Sequence, residues 1–448
     1  MNTASATTCL RITLAVVFTW TAAPLAKAEL PPSLAPLARG RDLFLHKWTA
    51  YDPLSPEGDG LGPVHNAESC VACHRLGGIG GAGPNENNVD LLTVADSKRQ
   101  RRRADSLPPD KIHPGFGGAG ASRTVVLHQF GTIEGYDAWR QKLLGQNRPT
   151  RRSRDDENRP VKRLPLYEGH QFLLSQRNTP ALFGAAQIDG IPDDVLRDVA
   201  QQQQKGSSAV SGRVAPLGEG RLGKFGWRGQ TATLRDFVFG ACANELGLEV
   251  PDQQQGLDPR RAGYRPGGFD LSQQQCEELL AFVAGLPAPE RRVVNDAAAA
   301  TINYGEGLFH SIGCTQCHRR RLGEVDGIYS DLLLHDMGPQ LADPLPALPE
   351  SVLVGRTFSA GYFGGGVVDE FATLDTNVHQ EWRTPPLWGA ADSAPYLHDG
   401  RAATLAAAIA LHGGEAGASA SAFRSLPAAD RTALVAFLQS LTAPAVMR

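Results

Sequence analysis

Two pentapeptides hold the most chemistry in this sequence, Cys70-Val71-Ala72-Cys73-His74 and Cys314-Thr315-Gln316-Cys317-His318. In each, two thiols and an imidazole are spaced so that both sulfurs can add to the vinyl groups of a haem. The adjacent histidine then comes beneath the iron as its proximal ligand. With 7 Cys and 12 His in 448 residues, chance does not account for two copies. A zinc site needs four ligands close in space, and paired Cys-x-x-Cys motifs of that kind lie roughly 15–20 residues apart. Here the two copies are 244 residues apart. A thioredoxin-like motif needs no histidine and sits beside a βαβ pattern. The spacing therefore predicts two covalently attached haem c groups, one on Cys70, Cys73 and His74 and one on Cys314, Cys317 and His318.

The N-terminus agrees with that chemistry. Arg11, the apolar run Ile12 to Trp20 and the small-residue site Ala26-Lys27-Ala28 read as a secretory signal peptide over residues 1–28. The expected mature chain starts at Glu29 and works in the periplasm. No apolar run is long enough for a membrane span, and Cys9 precedes the run, which argues against a lipid anchor. Two cysteines remain, Cys242 and Cys276. In an oxidising compartment they are expected to pair, the alternative being two buried free thiols. A net charge of −3 gives no sign of nucleic-acid binding. Basic stretches at Lys98 to Arg103 and Arg148 to Arg154 read as solvated loops, with a docking patch for an acidic redox partner as the alternative.

The elements that must position the pentapeptides repeat along the chain. Gly40-Arg41-Asp42-Leu43-Phe44 precedes the first, and Gly305-Glu306-Gly307-Leu308-Phe309 precedes the second. Arg177-Asn178-Thr179-Pro180-Ala181-Leu182-Phe183-Gly184 echoes Arg383-Thr384-Pro385-Pro386-Leu387-Trp388-Gly389. Trp227-Arg228-Gly229-Gln230 with Thr233-Leu234 echoes His398-Asp399-Gly400-Arg401 with Thr404-Leu405. Two cytochrome c-like domains follow, residues 29–290 and 291–448, with the boundary between Pro287 and Asn295. Apolar spacing predicts closing helices over Gln275 to Leu286 and Ala429 to Leu441, and another over Leu405 to Leu411. The expected class is mainly α, with long loops rich in the 49 Gly and 31 Pro. Gln201 to Gln204 with Gly206-Ser207-Ser208 reads as a low-complexity loop. Each haem would supply the flat apolar body around which short helices pack.

These blocks, with Gly223-Lys224-Phe225-Gly226-Trp227, the run Tyr329-Ser330-Asp331 through His335-Asp336-Met337-Gly338-Pro339, and Tyr396-Leu397-His398-Asp399-Gly400-Arg401, resemble the bacterial di-haem oxidoreductases, relatives of the di-haem cytochrome c peroxidases. In those relatives a Gly-His pair eight residues before Asn-x-Pro supplies a removable distal ligand to the first haem. The resemblance implies that role for His170, with His113 and His128 as rivals. A methionine fourteen residues beyond the His-Asp-Gly histidine ligates their second haem. That count from His398 lands on His412, with Met337 as competitor. A second imidazole stabilises ferric iron, whereas methionine raises the potential, so His412 fits the peroxidase scheme less well. Trp227 aligns with a tryptophan between the haems, although Arg228-Gly229-Gln230 departs from the relatives' Asp-Gly-Arg. Glu245 resembles the acid that assists O–O cleavage.

The implied activity is reduction of hydrogen peroxide, with electrons arriving from a small periplasmic cytochrome c or copper protein. The alternatives are a non-catalytic electron carrier with two bis-histidine haems, and a di-haem enzyme that oxidises a protein or thiol. A calcium ion between the domains is compatible with the resemblance, but no motif in the chain specifies one.

Overall fold

Glycine 40 sits where two helices touch. A Cβ there would overlap the carbonyl oxygen of Glu278, so the helix Ala35–Leu45 crosses Gln273–Ala284 backbone to backbone. The second half does the same. A Cβ on Gly305 would overlap the Ala433 carbonyl, where Asp296–Ser311 crosses Ala428–Gln439. The aromatic wedges match too. Phe44 meets Phe282 at 5.2 Å between ring centroids, and Phe309 meets Phe437 at 5.3 Å. In each unit the first of these rings lies 6.2 Å from the pentapeptide histidine, His74 or His318. The described residues of this computed structural model are 35–95, 107–117, 124–145, 161–206, 208–289, 291–292, 295–344 and 378–447. The expected signal segment and both basic stretches lie outside them.

Capping chemistry fixes where these helices start. Ser272 accepts from the Gln275 backbone N–H while the Gln275 side chain accepts in return, a capping box that starts the closing helix two residues before the apolar spacing does. Thr233 and Thr404, equivalent in the repeat, accept from the backbone N–H of Asp236 and Ala407 and open Leu234–Glu245 and Leu405–Leu411. Leu434, Phe437, Leu438 and Leu441 are all buried, as their spacing predicts. The glutamine run is different from expectation. Gln201 to Gln204 continues the helix Asp193–Lys205, whose buried face is Leu196, Val199 and Ala200. Glutamine is a good helix former, and the apolar stripe supplies the tertiary support.

The two units meet through exchanged halves of the repeat. Asn178 N–H donates to the His398 carbonyl (2.7 Å), and Arg383 N–H donates to the Trp227 carbonyl (2.9 Å). Thus each unit's Thr-Pro block bonds the other unit's glycine turn. Gly184 and Gly389, both at positive φ, face Trp388 and Phe183 respectively, so each glycine accepts the aromatic of the other copy. At the position equivalent to Asp399, Arg228 instead reaches across to Asp343 of the second unit (2.9 Å), and Gln230 Oε1 accepts from the Arg228 backbone N–H. The second unit keeps its local pair, Arg401 Nε to Asp399 at 2.7 Å.

Helices dominate around the pentapeptides, but the first unit also holds a four-stranded antiparallel sheet. Its order is Thr124–Leu127, Val89–Val94, Phe172–Arg177, Lys162–Arg163. Leu92, Leu127, Leu143 and Phe172 form a core of its own. The described residues are thus helical with sheets, and "mainly α" holds only in part. These strands pair over long sequence separations, and Val89–Val94 is buried on both faces, so it shows no period-2 alternation. The main core crosses the 290/291 boundary, because Leu322, Ile328, Leu332, Leu333 and Trp388 join Phe44, Phe239 and Phe282 in one cluster. Cys242 and Cys276 lie in it as buried free thiols, so the expected disulfide is absent here.

Gly40→Ala or Gly305→Ala is expected to destabilise the protein by about 1–3 kcal/mol. Alanine gains up to about 1 kcal/mol in helix propensity, but the obstacle is a carbonyl on the facing backbone, which cannot rotate away. Chemical denaturation checks this, and an unchanged midpoint would mean the helices do not cross at these glycines.

Candidate haem cavities and active site

Each pentapeptide folds into a tight turn that aims its side chains into one cavity. Ser69 Oγ accepts from Ala72 N–H, and His74 N–H closes the turn on the Cys70 carbonyl (3.0 Å). His318 N–H closes on Cys314 in the same way (2.9 Å). The ring nitrogens are fixed alike. His74 Nδ1 donates to the Gly81 carbonyl and His318 Nδ1 to that of Tyr329, both at 3.0 Å. A carbonyl only accepts, so Nδ1 carries the proton and Nε2 keeps the lone pair that a metal requires. Burial pulls both imidazoles down to about 4, which keeps them neutral at pH 7. Burial also pushes the Cys70, Cys73 and Cys314 thiols up to about 12.

Around these groups the walls are apolar. The first cavity is lined by Phe44, Leu182, Phe237 and Leu279, and the second by Phe309, Leu387, Trp388 and Leu438. An apolar cavity left unfilled costs stability. Two thiols, one neutral imidazole and flat apolar walls suit a macrocycle linked through two thioethers and one iron bond. The residues present fit haem c at both places.

The first cavity holds one histidine, His74. All twelve histidines of the chain lie among the described residues. His170, expected opposite His74, is not brought there. It sits in the turn that ends at Phe172, tilts against that ring at 6.2 Å, and bonds the Leu107 carbonyl through Nε2 (2.6 Å). The sheet carries it away from the haem turn, so the Gly-His spacing is kept without the ligand. His113 and His128 are buried elsewhere. His113 Nδ1 accepts from Gly115 N–H, and His128 Nε2 bonds the Asn244 carbonyl.

Glu245 is brought to the first cavity, at the end of helix Leu234–Glu245. Burial pushes its carboxyl up to about 7, while a hydrogen bond from Asn66 Nδ2 (2.8 Å) opposes the shift. A group balanced between acid and base at neutral pH can both give and take a proton. Asn66 also accepts from Gln129 N–H (3.0 Å), which fixes its amide. The sequence offers no motif for Asn66, because its contact with Glu245 spans 179 residues.

The second cavity contains His318, His335, His398 and His412, and Met337 also lines it. His412 Nδ1 donates to the Ala408 carbonyl (2.8 Å), which leaves Nε2 for the cavity just as in His74 and His318. The other two histidines are engaged. His335 is clamped between Glu415 (2.7 Å) and Asp331 (3.0 Å), and these carboxylates hold it protonated. His398 stacks on Trp382 at 3.6 Å with 9° between planes. Neither Trp382 nor the His335 clamp is signalled by spacing. The clamp's Cys317–Asp331–His335 group is the one set of three close ligand-type side chains among the described residues. With a haem thiol and a carboxylate-bound imidazole in it, it does not resemble an all-oxygen calcium site.

Trp227 lines both cavities, and its indole N–H donates to the Asn178 carbonyl (2.8 Å). Residues 360–441 match the family model described as "Di-haem oxidoreductase, putative peroxidase". Over these residues the chain is similar to the di-haem oxidoreductases. That match takes in the Arg383 block, the His398 turn and His412, and it stops short of both pentapeptides.

Among solved structures, a hydrazine synthase of Kuenenia stuttgartiensis overlaps 60% of this chain and 73% of its own, at 19% identity and a TM-score of 0.32. A MauG-like protein associated with microbial copper homeostasis overlaps 58% of this chain and 92% of its own, at 18% identity and a TM-score of 0.30. Both overlaps are too loose to bear on the di-haem oxidoreductase reading. No curated protein matches the sequence. Among the described residues, no helix is long and apolar enough to cross a membrane.

Proposed function

We propose that the protein is an exported di-haem c oxidoreductase of the peroxidase type. A small periplasmic cytochrome c or copper protein donates electrons at the second haem, and hydrogen peroxide accepts them at the first. The observation that carries this reading is the inequality of the two cavities. The first offers a single histidine and a half-buried acid, whereas the second offers His318 and His412, each with its Nδ1 tied to a carbonyl. Haem, held at both places, would supply one-electron chemistry, and at the first cavity His74 is the one histidine available to hold it.

The chain's own residues do the rest. His74 and His318 would hold the metals through Nε2, and the four pentapeptide cysteines would anchor the macrocycles. Glu245 gives a proton from its carboxyl to the departing oxygen of peroxide, with Asn66 holding that carboxyl in place. Each turnover consumes two electrons and two protons and yields two waters. Trp227, lining both cavities, is the side chain through which the two haems would be coupled. The bis-histidine carrier reading requires a second histidine at the first cavity, and no such residue lines it.

Low-temperature EPR of the oxidised, full-length protein tests the reading. One low-spin bis-imidazole signal together with one high-spin signal is expected. Two low-spin bis-imidazole signals would instead support the pure carrier.

A further inference from the structure

Three arginines are buried among the described residues, Arg177, Arg228 and Arg383. Two of them share one counter-ion. Arg177 bonds both oxygens of Asp343, and Arg228 adds a third bond to it at 2.9 Å. Among the described residues, Arg383 has no carboxylate within ion-pair distance. Its Nε donates to the Gly226 carbonyl (2.7 Å), and one terminal nitrogen makes a long contact of 3.4 Å with the Thr384 carbonyl. The acid that acts on it electrostatically is Asp331, whose oxygens are already used by His335, Gln203 and the Leu333 N–H.

The contrast is sharper because Arg177 and Arg383 are equivalent in the repeat, each opening a Thr-Pro block and each lining its own unit's cavity. A buried guanidinium without an anion is costly, and five N–H donors in a rigid fork are shaped for a carboxylate. We propose that Arg383 is the receptor for a propionate carboxylate of the haem carried by Cys314, Cys317 and His318. Arg177 has no such role, because Asp343 already occupies its fork. The inference rests on a haem in the second cavity, and the test separates the two claims.

The experiment uses full-length, haem-loaded protein and the variants Arg383→Gln and Arg383→Lys. Resonance Raman reads the propionate-bending bands, and a redox titration reads the potential of each haem. In Arg383→Gln a bending band of the second haem should move. The potential of that haem should fall, because a lost cation favours ferric iron, while the first haem's signals stay in place. Arg383→Lys should keep the potential and still move the band, since a point-charge ammonium replaces a planar fork. Bands unmoved in both variants would overturn the proposal. So would a lower potential with unmoved bands, which is a bare charge effect. A parent protein with a single haem per chain would instead strike at the two-haem reading itself.

Discussion

Glu245→Gln is expected to lower peroxide turnover by about 10²–10⁴-fold while both haems stay attached. Glutamine keeps the shape and can still bond Asn66, but it cannot give up a proton at the cavity wall. The carboxyl stands at about 7 because burial penalises its charged form. Turnover in the parent should therefore decline as pH rises through about 7, since the protonated acid is the donor, and the variant should lose that limb.

Stability moves in a linked way. A carboxyl raised from 4.5 to about 7 keeps its proton in the folded state over a range where the unfolded chain has lost it. Folding is therefore favoured fully below about 4.5, and this contribution declines as pH climbs to about 7. Removing the ionisable group should make the variant more stable than the parent at pH 8, by at most on the order of 3 kcal/mol. Denaturation at pH 5 and pH 8 measures this. Equal pH dependence in parent and variant would mean that Glu245 is solvated and not desolvated against the cavity.

Replacing His412 by Met is the second large effect. Axial ligands span about 0.8 V of haem potential, and exchanging imidazole for thioether moves the iron towards the ferrous form. The second haem's potential should rise by a sizeable part of that span, while the first haem's stays put. The helix Leu405–Leu411 ends at His412, and the Ala408 carbonyl holds the ring. Methionine cannot make that bond, so a modest loss of stability should accompany the shift. A potential unchanged in His412→Met, but changed in Met337→Leu, would assign the iron to Met337, which lines the same cavity.

Local chemistry was readable from the chain, and distant chemistry was not. The pentapeptides and the paired landmarks each depend on residues a few positions apart, and the threonines of the paired landmarks turn out to cap helices. The exchanged contacts at Asn178 and Arg383 were not read from the chain, although they join equivalent blocks of the repeat. His170 shows where spacing runs out. The count of eight to Asn178 is intact, but the intervening strand Phe172–Arg177 belongs to a sheet that directs His170 towards Leu107. Asn66, Trp382 and Asp343 act through partners far away in sequence, and no short window contains both ends. The disulfide expectation came from compartment alone, and two buried thiols in an apolar core are the physical alternative that the structure adopts.

The most direct measurement is the haem stoichiometry of the purified full-length protein, read as the pyridine haemochrome after denaturation. Two porphyrins per chain, both remaining with the unfolded polypeptide and both showing thioether-type spectra, are predicted. A colourless protein, or a single attached porphyrin per chain, would contradict the account.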